Sequence, residues 1–378
     1  MENGLHIVAF DIPYPPNYGG VIDVFYKIKW LSESGIKITL HCFEYHRRQA
    51  PELETYCERV YYYKRRSGFG VHLSFLPYIV LSRKNNDLLS NLLTDQHPIL
   101  FEGLHACYYL NDPRLASRFK IYRESNIEHE YYFHLFKAQQ NPIKAFYFLI
   151  ESIRLYFYQN RLKAADLMLA VSQKDTSYLQ KRFPSKKVMF LPSFHANDQV
   201  RSLLGKGSYV LYHGNLAVKE NEKAAIFLLK HVFNDLPLPF VIAGMHPSSR
   251  LRNWVARFDH VTLYDTPTEM EMLQLLRDAH VHALVTFQAT GLKLKLLNVL
   301  YAGRFCVCNQ KMVSGTNLEP LCRLVDAPTQ WKAAIQQLMI SAFTTNDVAK
   351  RKELLDSAYG NQANVQKLIH WIFPSNRI

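Results

Sequence analysis

Short apolar runs alternate with helical segments along nearly the whole chain, and this alternation limits the possible fold more than any other feature. Residues 5–10 form one such run, residues 21–31 carry apolar side chains at helical spacing, and residues 36–43 form the next run. Continuous apolar runs are typical of buried parallel strands, so these residues predict a β-α-β unit. Further strands are predicted at residues 60–63, 99–102, 120–122, 167–171 and 188–191.

A second alternating series follows a break in the pattern. Residues 193–207 have no periodicity and include two glycines, so we interpret them as a linker. The second series starts with a strand at residues 209–213. Its other predicted elements are strands at 240–243, 261–264, 283–286 and 306–308 and helices at 221–234, 249–257, 268–278 and about 350–372. The 378 residues allow two separate cores, and the sequence predicts two successive doubly wound α/β domains.

Composition narrows the class of ligand. The chain has a formal net charge of +13 and contains 23 Tyr and 23 Phe residues. Such a chain suits nucleic acid, a membrane surface or phosphorylated substrates. The basic residues are dispersed and no helix-turn-helix, RRM or zinc-finger pattern is present, so we expect no nucleic-acid partner. The first ten residues lack the basic and apolar regions of a signal peptide, and we expect a cytoplasmic protein.

The six cysteines have no spacing typical of a metal site. We therefore expect buried free thiols in a reducing compartment and no bound metal. Cys306 and Cys308 flank Val307 in a predicted strand, and we expect their side chains on opposite faces.

Residues 291–308 combine a glycine, two lysines, a helix and a strand. Gly291 permits close approach of the backbone to a ligand, and the N-terminus of the helix presents unpaired N–H groups. Lys293 and Lys295 lie in or near the first turn, so phosphate would meet backbone donors and an ammonium group together. An ordinary helix–strand unit with solvated lysines is the alternative. Lys295 in particular can point into solvent, since residues two apart on a helix do not share a face.

This block resembles the signature of the GT-B glycosyltransferases of the large retaining group, the family 4-like or group 1 glycosyl transferases. The donor-binding residues that the resemblance implies here are Gly291, Leu292, Lys295 and Asn298. Lys293 is the implied catalytic cation, which stabilises the charge of the leaving diphosphate. The family pattern has glutamates where this chain has Thr290 and Asn298. Asparagine can bond a ribose hydroxyl, but without the strength of a charged acceptor.

Further loops fit the same family in order along the chain. Residues 212–221 resemble its G-x-L/M loop, and Gly244 follows the next strand, where the nucleotide base is usually held. The implied donor-binding residues of these loops are Gly214, Asn215, Lys219 and Gly244. In the first domain, residues 123–132 are similar to the family's H-N-x-E-x-x-Y-Y segment, with Ser125 in place of the usual histidine.

The first domain has candidate ligand residues after two predicted strands, where open α/β sheets bind ligands. The implied acceptor or phosphate loop consists of Tyr18, Gly19 and Gly20, and a tight turn that needs positive φ is the alternative. His105 follows a strand end, as a histidine near the donor sugar often does in the family, and is the second catalytic candidate. A histidine with a merely structural role is the alternative.

The resemblance implies two Rossmann-like domains that face each other across a cleft. We expect an acceptor-side domain at residues 1–195, a donor domain at 207–350, and a helix at 351–378 that crosses back to the first domain. The implied activity is retaining, metal-independent transfer from a UDP- or GDP-sugar to a glycan or lipid-linked surface-polysaccharide precursor, without a cofactor. The alternative is a catalytically degenerate GT-B-like binding or scaffold protein of such a pathway, which Thr290 and Asn298 favour.

Two segments are candidates for peripheral contact with an anionic membrane. Residues 61–82 combine tyrosines and basic residues with an apolar run, and residues 142–166 form a long aromatic helix with interleaved basic residues. For the helix we favour a core position between layers. Residues 61–82 are therefore the preferred membrane candidate.

Overall fold

A computed structural model describes residues 3–68, 74–287 and 293–374. These residues form two compact units, each with its own parallel sheet. The first unit consists of residues 3–196 and 361–374, and the second of residues 197–287 and 293–360. Two parallel sheets with helices packed against them confirm the predicted doubly wound α/β class.

The first unit is built on a seven-stranded sheet. Its strands are β1 (Gly4–Val8), β2 (Lys37–Glu44), β3 (Arg59–Lys64), β4 (Ile99–Glu102), β5 (Lys120–Glu124), β6 (Leu167–Ala170) and β7 (Lys187–Phe190). Its helices up to that point are α1 (Gly19–Glu33), α2 (Tyr78–Leu81), α3 (Asn86–Leu92), α4 (Glu128–Ala138), α5 (Pro142–Tyr158) and α6 (Gln173–Arg182). Shorter 3-10 helices span Pro51–Thr55, Leu104–Tyr109, Pro113–Leu115 and Gln159–Ala164. The strand order is β3-β2-β1-β4-β5-β6-β7, so the direction of winding reverses between β1 and β4.

The second unit repeats this plan with six strands. They are β8 (Val210–His213), β9 (Phe240–Gly244), β10 (Val261–Asp265), β11 (Val281–Leu284), β12 (Phe305–Cys308) and β13 (Arg323–Leu324). Its helices are α7 (Lys219–His231), α8 (Ser249–Val255), α9 (Glu269–Asp278), α10 (Leu294–Ala302), α11 (Gln310–Val313), α12 (Pro328–Ile340) and α13 (Thr345–Ala358), with a 3-10 helix at Glu319–Leu321. The strand order β10-β9-β8-β11-β12-β13 places a switch point between β8 and β11. At such a point the carboxyl ends of the strands border a crevice that suits a ligand.

Two helices, not one, end the described part of the chain. The sequence predicted a single helix at about 350–372, whereas α13 ends at Ala358 and α14 (Asn361–Ile372) follows it. Tyr359, at the break, is buried in the second unit, and its hydroxyl donates to the carbonyl of Thr316. α14 belongs to the first unit, and its buried apolar side chains, which complete the core around β1 and α1, are Val365, Leu368 and Ile372.

Four charged side chains are buried together in the first unit. Nζ of Lys27 lies 2.7 Å from Oε1 of Glu102 and 3.3 Å from Oδ2 of Asp23, and the guanidinium of Arg123 lies 3.2 Å from the same Asp23 oxygen. Burial raises the pKa of Glu102, whereas at Asp23 the charges of Arg123 and Lys27 outweigh burial and lower the pKa. Two cations and two carboxylates balance, and this balance makes their burial tolerable.

Helices α4 and α5 pack against each other and expose an aromatic surface. On α5, Ile143, Phe146 and Phe157 are 81%, 64% and 65% exposed. The predicted core position of residues 142–166 is therefore wrong. Aromatic and aliphatic side chains lie on all sides of this helix, so its sequence did not indicate which side faces the core. The buried side consists of Glu151, Ser152, Leu155 and Tyr158. Among the described helices, none has both the length and the hydropathy of a membrane span.

The preferred membrane segment, residues 61–82, begins in the sheet as part of β3. Residues 69–73 lie outside the described part of the chain. Beyond them, Phe75 is 98% exposed, and α2 covers much of the remainder of the segment.

Cys306 and Cys308 lie on the same face of β12, which corrects the expectation of opposite faces. Side chains in a strand alternate with a period of two, so residues i and i+2 point the same way. The Sγ atoms of these two residues and of Cys322 all lie within 4.8 Å of one another.

Candidate functional site

Two glycines bring the carboxyl ends of β8 and β9 into close contact. The N–H of Gly214 donates to the carbonyl of Ala243 at 3.1 Å, and Gly244 ends β9. A Cβ atom on Gly244 would lie 1.8 Å from the carbonyl oxygen of Gly214, and one on Gly214 would lie 3.3 Å from the Asn221 side chain. Glycine is needed at 244 because two loops pack closely there, which leaves this edge of the sheet as bare backbone.

Lys295 points inward, which corrects the solvent-facing alternative. Its Nζ donates to Oδ1 of Asn221 at 2.9 Å and lies 5.3 Å from the centre of the Tyr212 ring. Burial and the charge of Lys293 lower the pKa of Lys295 to about 8, although Glu220 opposes the shift. A half-buried cation with so low a pKa reduces folding stability, and such residues cluster where a protein binds or transforms a charged ligand.

Lys293 is the N-cap residue of α10, and its side chain does not cap the helix. The first N–H groups of α10 therefore follow directly after it, with the partial positive charge of the helix N-terminus. Gly291 and Leu292, the predicted donor-binding residues before it, lie outside the described part of the chain, as does Thr290. Lys293 is close enough for its charge to lower the affinity of Lys295 for a proton.

The remaining predicted donor residues have different surroundings. Oδ1 of Asn215 accepts from the N–H of Ala217 at 3.1 Å and so closes the turn before α7, whose first residue, Lys219, is exposed. Oδ1 of Asn298 accepts from Nδ2 of Asn197 at 3.0 Å. At the position where the resemblance leads one to expect a glutamate, this chain thus has an amide engaged within the second unit.

Two further side chains at this edge escaped the sequence prediction. Glu220, in the first turn of α7, accepts hydrogen bonds from the hydroxyl of Thr286 and the N–H of Phe287, so it ties α7 to the end of β11. His213 ends β8, and within the described residues neither ring nitrogen has a hydrogen-bond partner. Burial and the charge of Lys295 lower its pKa to about 3, so the ring is neutral at physiological pH. Both residues adjoin motif positions, but only their burial in the fold distinguishes them.

His105 and Glu128 lie together at the carboxyl edge of the first sheet. Gly103, with φ of 71°, turns the chain after β4, and Nδ1 of His105 then lies 3.8 Å from Oε1 of Glu128. Burial raises the pKa of Glu128 to about 8 against the charge of Arg83. Burial, aided by Arg83, holds the pKa of His105 well below its usual value. At pH 7 the pair is therefore a neutral imidazole beside a protonated carboxyl, a combination that suits hydroxyl groups rather than an anion.

Residues 18–20 lead from β1 into α1. The hydroxyl of Tyr18 donates to Oδ2 of Asp11 at 2.7 Å. Neither Gly19 nor Gly20 has positive φ, so the tight-turn alternative is wrong. A Cβ atom on Gly20 would lie 2.6 Å from the tip of the Phe10 ring, so close packing accounts for this glycine.

An open groove of about 540 Å³ lies beside this loop in the first unit. Its walls are residues of the loop after β1 and residues 46–52 after β2. Arg47 joins the two walls, because its guanidinium donates to Oδ1 of Asn17 at 2.8 Å and to the carbonyl of Pro15. Arg48 adds a second guanidinium to the lining. The groove is basic and open, which suits a ligand with hydroxyl or anionic groups.

No family model matches the chain. A Klebsiella pneumoniae protein called "Uncharacterized 44.6 kDa protein in cps region" is 25% identical over 333 residues, which cover 82% of this chain and 84% of that protein. Among solved structures, TarM has a TM-score of 0.70 at 10% identity, with 99% of each chain covered. HepE of Anabaena in complex with UDP and glucose has a TM-score of 0.67 at 11% identity, over 98% of this chain and 99% of that one.

Sucrose-phosphate synthase from Thermosynechococcus elongatus has a TM-score of 0.64 at 12% identity, with 98% of this chain and 96% of that chain covered. Identities this low show the fold alone. The chain therefore has the GT-B fold, with two Rossmann-like α/β units, as the sequence predicted.

Proposed function

We propose that the protein is a glycosyltransferase that moves a sugar from a nucleotide-sugar donor to a glycan or lipid-linked surface-polysaccharide precursor, with retained configuration. The observation that carries this proposal is the edge of the second sheet. There Gly244 packs against the carbonyl of Gly214, the partly exposed Gly214 carries no side chain, and the half-buried Lys295 adds positive charge. Support for UDP among the donor nucleotides comes from HepE, a neighbour of the same fold whose structure holds UDP and glucose.

The leaving group of such a transfer is a nucleoside diphosphate. Lys293, the first N–H groups of α10 and Lys295 supply positive charge where negative charge develops, and this makes a metal ion or other cofactor at the reaction centre unnecessary. Lys219, which is exposed at the start of α7, is a further candidate for contact with the diphosphate.

The first unit would receive the acceptor. The groove beside residues 18–20 offers two guanidinium groups, and the neutral pair of His105 and Glu128 offers hydrogen bonds to sugar hydroxyls. In this assignment His105 hydrogen-bonds a sugar hydroxyl, and Glu128 positions its ring.

A lipid-linked acceptor finds support in the exposed surface of α4 and α5. Phe146 and Phe157 are exposed on one helix and Phe133 on the other, with Lys137 and Lys144 among them. Apolar side chains flanked by cations favour the surface of an anionic membrane. The Klebsiella pneumoniae relative is named for its place in a cps region, which supports a polysaccharide pathway.

A degenerate binding or scaffold protein is the second candidate. It is favoured by Asn298, which replaces the family's glutamate and is bonded to Asn197 within the unit. A charge-assisted bond to the donor ribose is then missing, and donor affinity falls accordingly.

A thermal-shift titration with UDP, GDP, CMP and dTDP, free and with sugars attached, separates the two candidates. A ligand at a hundred times its Kd adds about 2.7 kcal/mol of stability, so binding raises the Tm visibly. A shift with one nucleotide supports the transferase. The absence of any shift overturns it and supports the scaffold.

A transfer assay with the bound nucleotide's sugars then tests the catalytic assignment. Lys293→Ala should lower kcat/KM by about 100-fold, the usual effect of removing one group that stabilises developing charge. Lys332→Ala, in the same unit but paired with Asp235, is the control and should retain full transfer. Equal activities of the two variants would remove Lys293 from the mechanism.

A further inference from the structure

Three cysteines converge in the second unit although they are distant in sequence. Cys306 and Cys308 point to one face of β12, and the parallel pairing of Val307 with Arg323 brings Cys322 alongside Cys306. Their Sγ atoms all lie within 4.8 Å of one another. Cys306 and Cys308 are buried and Cys322 is half-buried, so an ion could reach the cluster past Cys322.

We propose that Cys306, Cys308 and Cys322 bind one Zn²⁺ ion. Zn²⁺ binds thiolates at about 2.3 Å, which places the sulfurs of a tetrahedral site roughly 3.8 Å apart, and the three Sγ atoms here all lie within 4.8 Å of one another. Small rotations of the cysteine side chains would bring the sulfurs to that distance. The fourth position belongs to water.

Arg351 is the second observation in favour of this site. Its guanidinium is fully buried and donates to the carbonyls of Leu300, Gly303 and Arg304, immediately before β12. The positive charge is close enough to act on Cys306 and Cys322. Three thiolates and one Zn²⁺ carry a net negative charge, and the buried guanidinium compensates for it. Binding replaces three S–H protons, which are released to solvent.

The ion would fasten the segment 319–324 to the sheet. β13 is only two residues long, and a metal that joins Cys322 to β12 would stabilise this edge. The site is separate from Lys293 and Lys295 in its chemistry, so failure of the metal proposal would leave the proposed glycosyl transfer untouched.

Metal content and thiolate absorption test the proposal. The protein purified with zinc in the medium should hold one Zn²⁺ per chain, and Cys322→Ser should hold close to none. Cys57→Ser, which removes a buried thiol of the first unit, is the matched control and should keep its metal. Titration of the metal-free wild type with Cd²⁺ should give a thiolate-to-metal charge-transfer band that saturates at one equivalent and is lost in Cys322→Ser.

Alkylation of the unmodified protein needs no variant. Iodoacetamide followed by peptide mapping should label Cys322 in the metal-free protein and not in the zinc-loaded one. A histidine–carboxylate group in the first unit, His6, Asp95 and His97, also has ligand atoms within 4.8 Å of one another, and zinc held there would leave the thiols reactive and give no charge-transfer band. That result, a Cys306–Cys322 disulfide in the peptide map, or Cu⁺ as the only metal retained would each overturn the proposal.

Discussion

The carboxyl edges of the two sheets have the same topology but opposite chemistry. At the edge of the second sheet, Gly244 removes side-chain bulk and Lys295 contributes a positive charge. At the edge of the first, His105 and Glu128 fill the space with two groups that burial keeps neutral. A doubly wound sheet thus provides the place for a ligand, and the residues at its strand ends decide whether an anion or a hydroxyl-rich ligand suits it.

The first unit also buries the balanced group of Lys27, Arg123, Asp23 and Glu102, and the largest expected effect tests that balance. Lys27→Met leaves Asp23 and Glu102 with one cation between them, so we expect a loss of about 3–5 kcal/mol in the free energy of unfolding. Denaturant unfolding measures it. Lys29→Met, which removes an exposed cation near Glu33, is the control and should change stability by less than about 0.5 kcal/mol. Equal losses in both variants would mean that the buried group is not balanced as described.

The double variant Lys27→Met/Glu102→Leu sharpens the same test. It removes one charge of each sign, and we expect it to regain most of the stability lost in Lys27→Met. A double variant as unstable as Lys27→Met would show that packing, not charge balance, dominates at this place.

Close packing requires glycine at both edges, but a side chain should destabilise the protein more at residue 244 than at residue 20. Gly244→Ala places a Cβ atom against the backbone carbonyl of Gly214, which cannot move without moving a loop. We therefore expect the free energy of unfolding to fall by about 3 kcal/mol. We also expect the nucleotide to cause no shift in Tm. In Gly20→Ala the new Cβ atom meets only the tip of the Phe10 ring, which can rotate. The free energy of unfolding should therefore fall by only about 1 kcal/mol. The reverse order of the two losses would contradict the close contact of the β8 and β9 loops.

Lys295 should weaken the fold and strengthen ligand binding. Its pKa of about 8 lies below the 10.5 of an unperturbed lysine, so the folded state loses the proton first, and stability rises as pH increases between these values. At pH 7, Lys295→Met should raise the Tm of the ligand-free protein and abolish the shift caused by the nucleotide. A lower Tm without ligand, or an unchanged nucleotide shift, would mean that the lysine has a structural role.

The pH dependence of nucleotide binding gives an independent measurement. Binding of the diphosphate needs the protonated amine, so affinity should be constant below pH 7 and fall by up to about tenfold for each pH unit above 8. Isothermal titration at several pH values measures it. Lys295→Arg keeps its charge throughout this range and should bind with little pH dependence.

The last test concerns Glu128. Its pKa of about 8 is above the ordinary 4.5, so its contribution to stability is complete below pH 4.5 and is lost as pH rises toward and through 8. Glu128→Gln removes the proton equilibrium, and the decline of its unfolding free energy between pH 5 and 8 should be shallower than in the wild type. Glu130→Gln, two residues further along α4, should follow the wild-type curve. A wild-type slope in Glu128→Gln would place the carboxyl in water.

The fold was predictable because its evidence is local and repeated. Each strand is a short apolar run, and each helix shows its own period, so both sheets could be recognised without a tertiary contact. The glycines and lysines at the edge of the second sheet could also be identified from the sequence, because they lie in contiguous motifs. The short β13 was missed, since only its pairing with β12 defines it.

What could not be predicted depends on long-range packing. The inward direction of Lys295 requires Asn221 as its acceptor, and the pKa of Glu128 follows from burial by distant segments. The same holds for α5, whose aromatic residues are equally compatible with a core and with an exposed surface until its neighbours are known. Composition identified unusual side chains there, and only the fold showed which of them face outward.

The position of α14 has a consequence for how the protein is made. During synthesis, residues 3–196 leave the ribosome first, yet Val365, Leu368 and Ile372, which complete their core, are translated after the entire second unit. The nascent first unit therefore exposes an apolar surface until the second unit and α14 have been translated. A stop codon before residue 361 would leave that surface permanently bare, so a chain with an intact second unit would still be a target for chaperones and proteases.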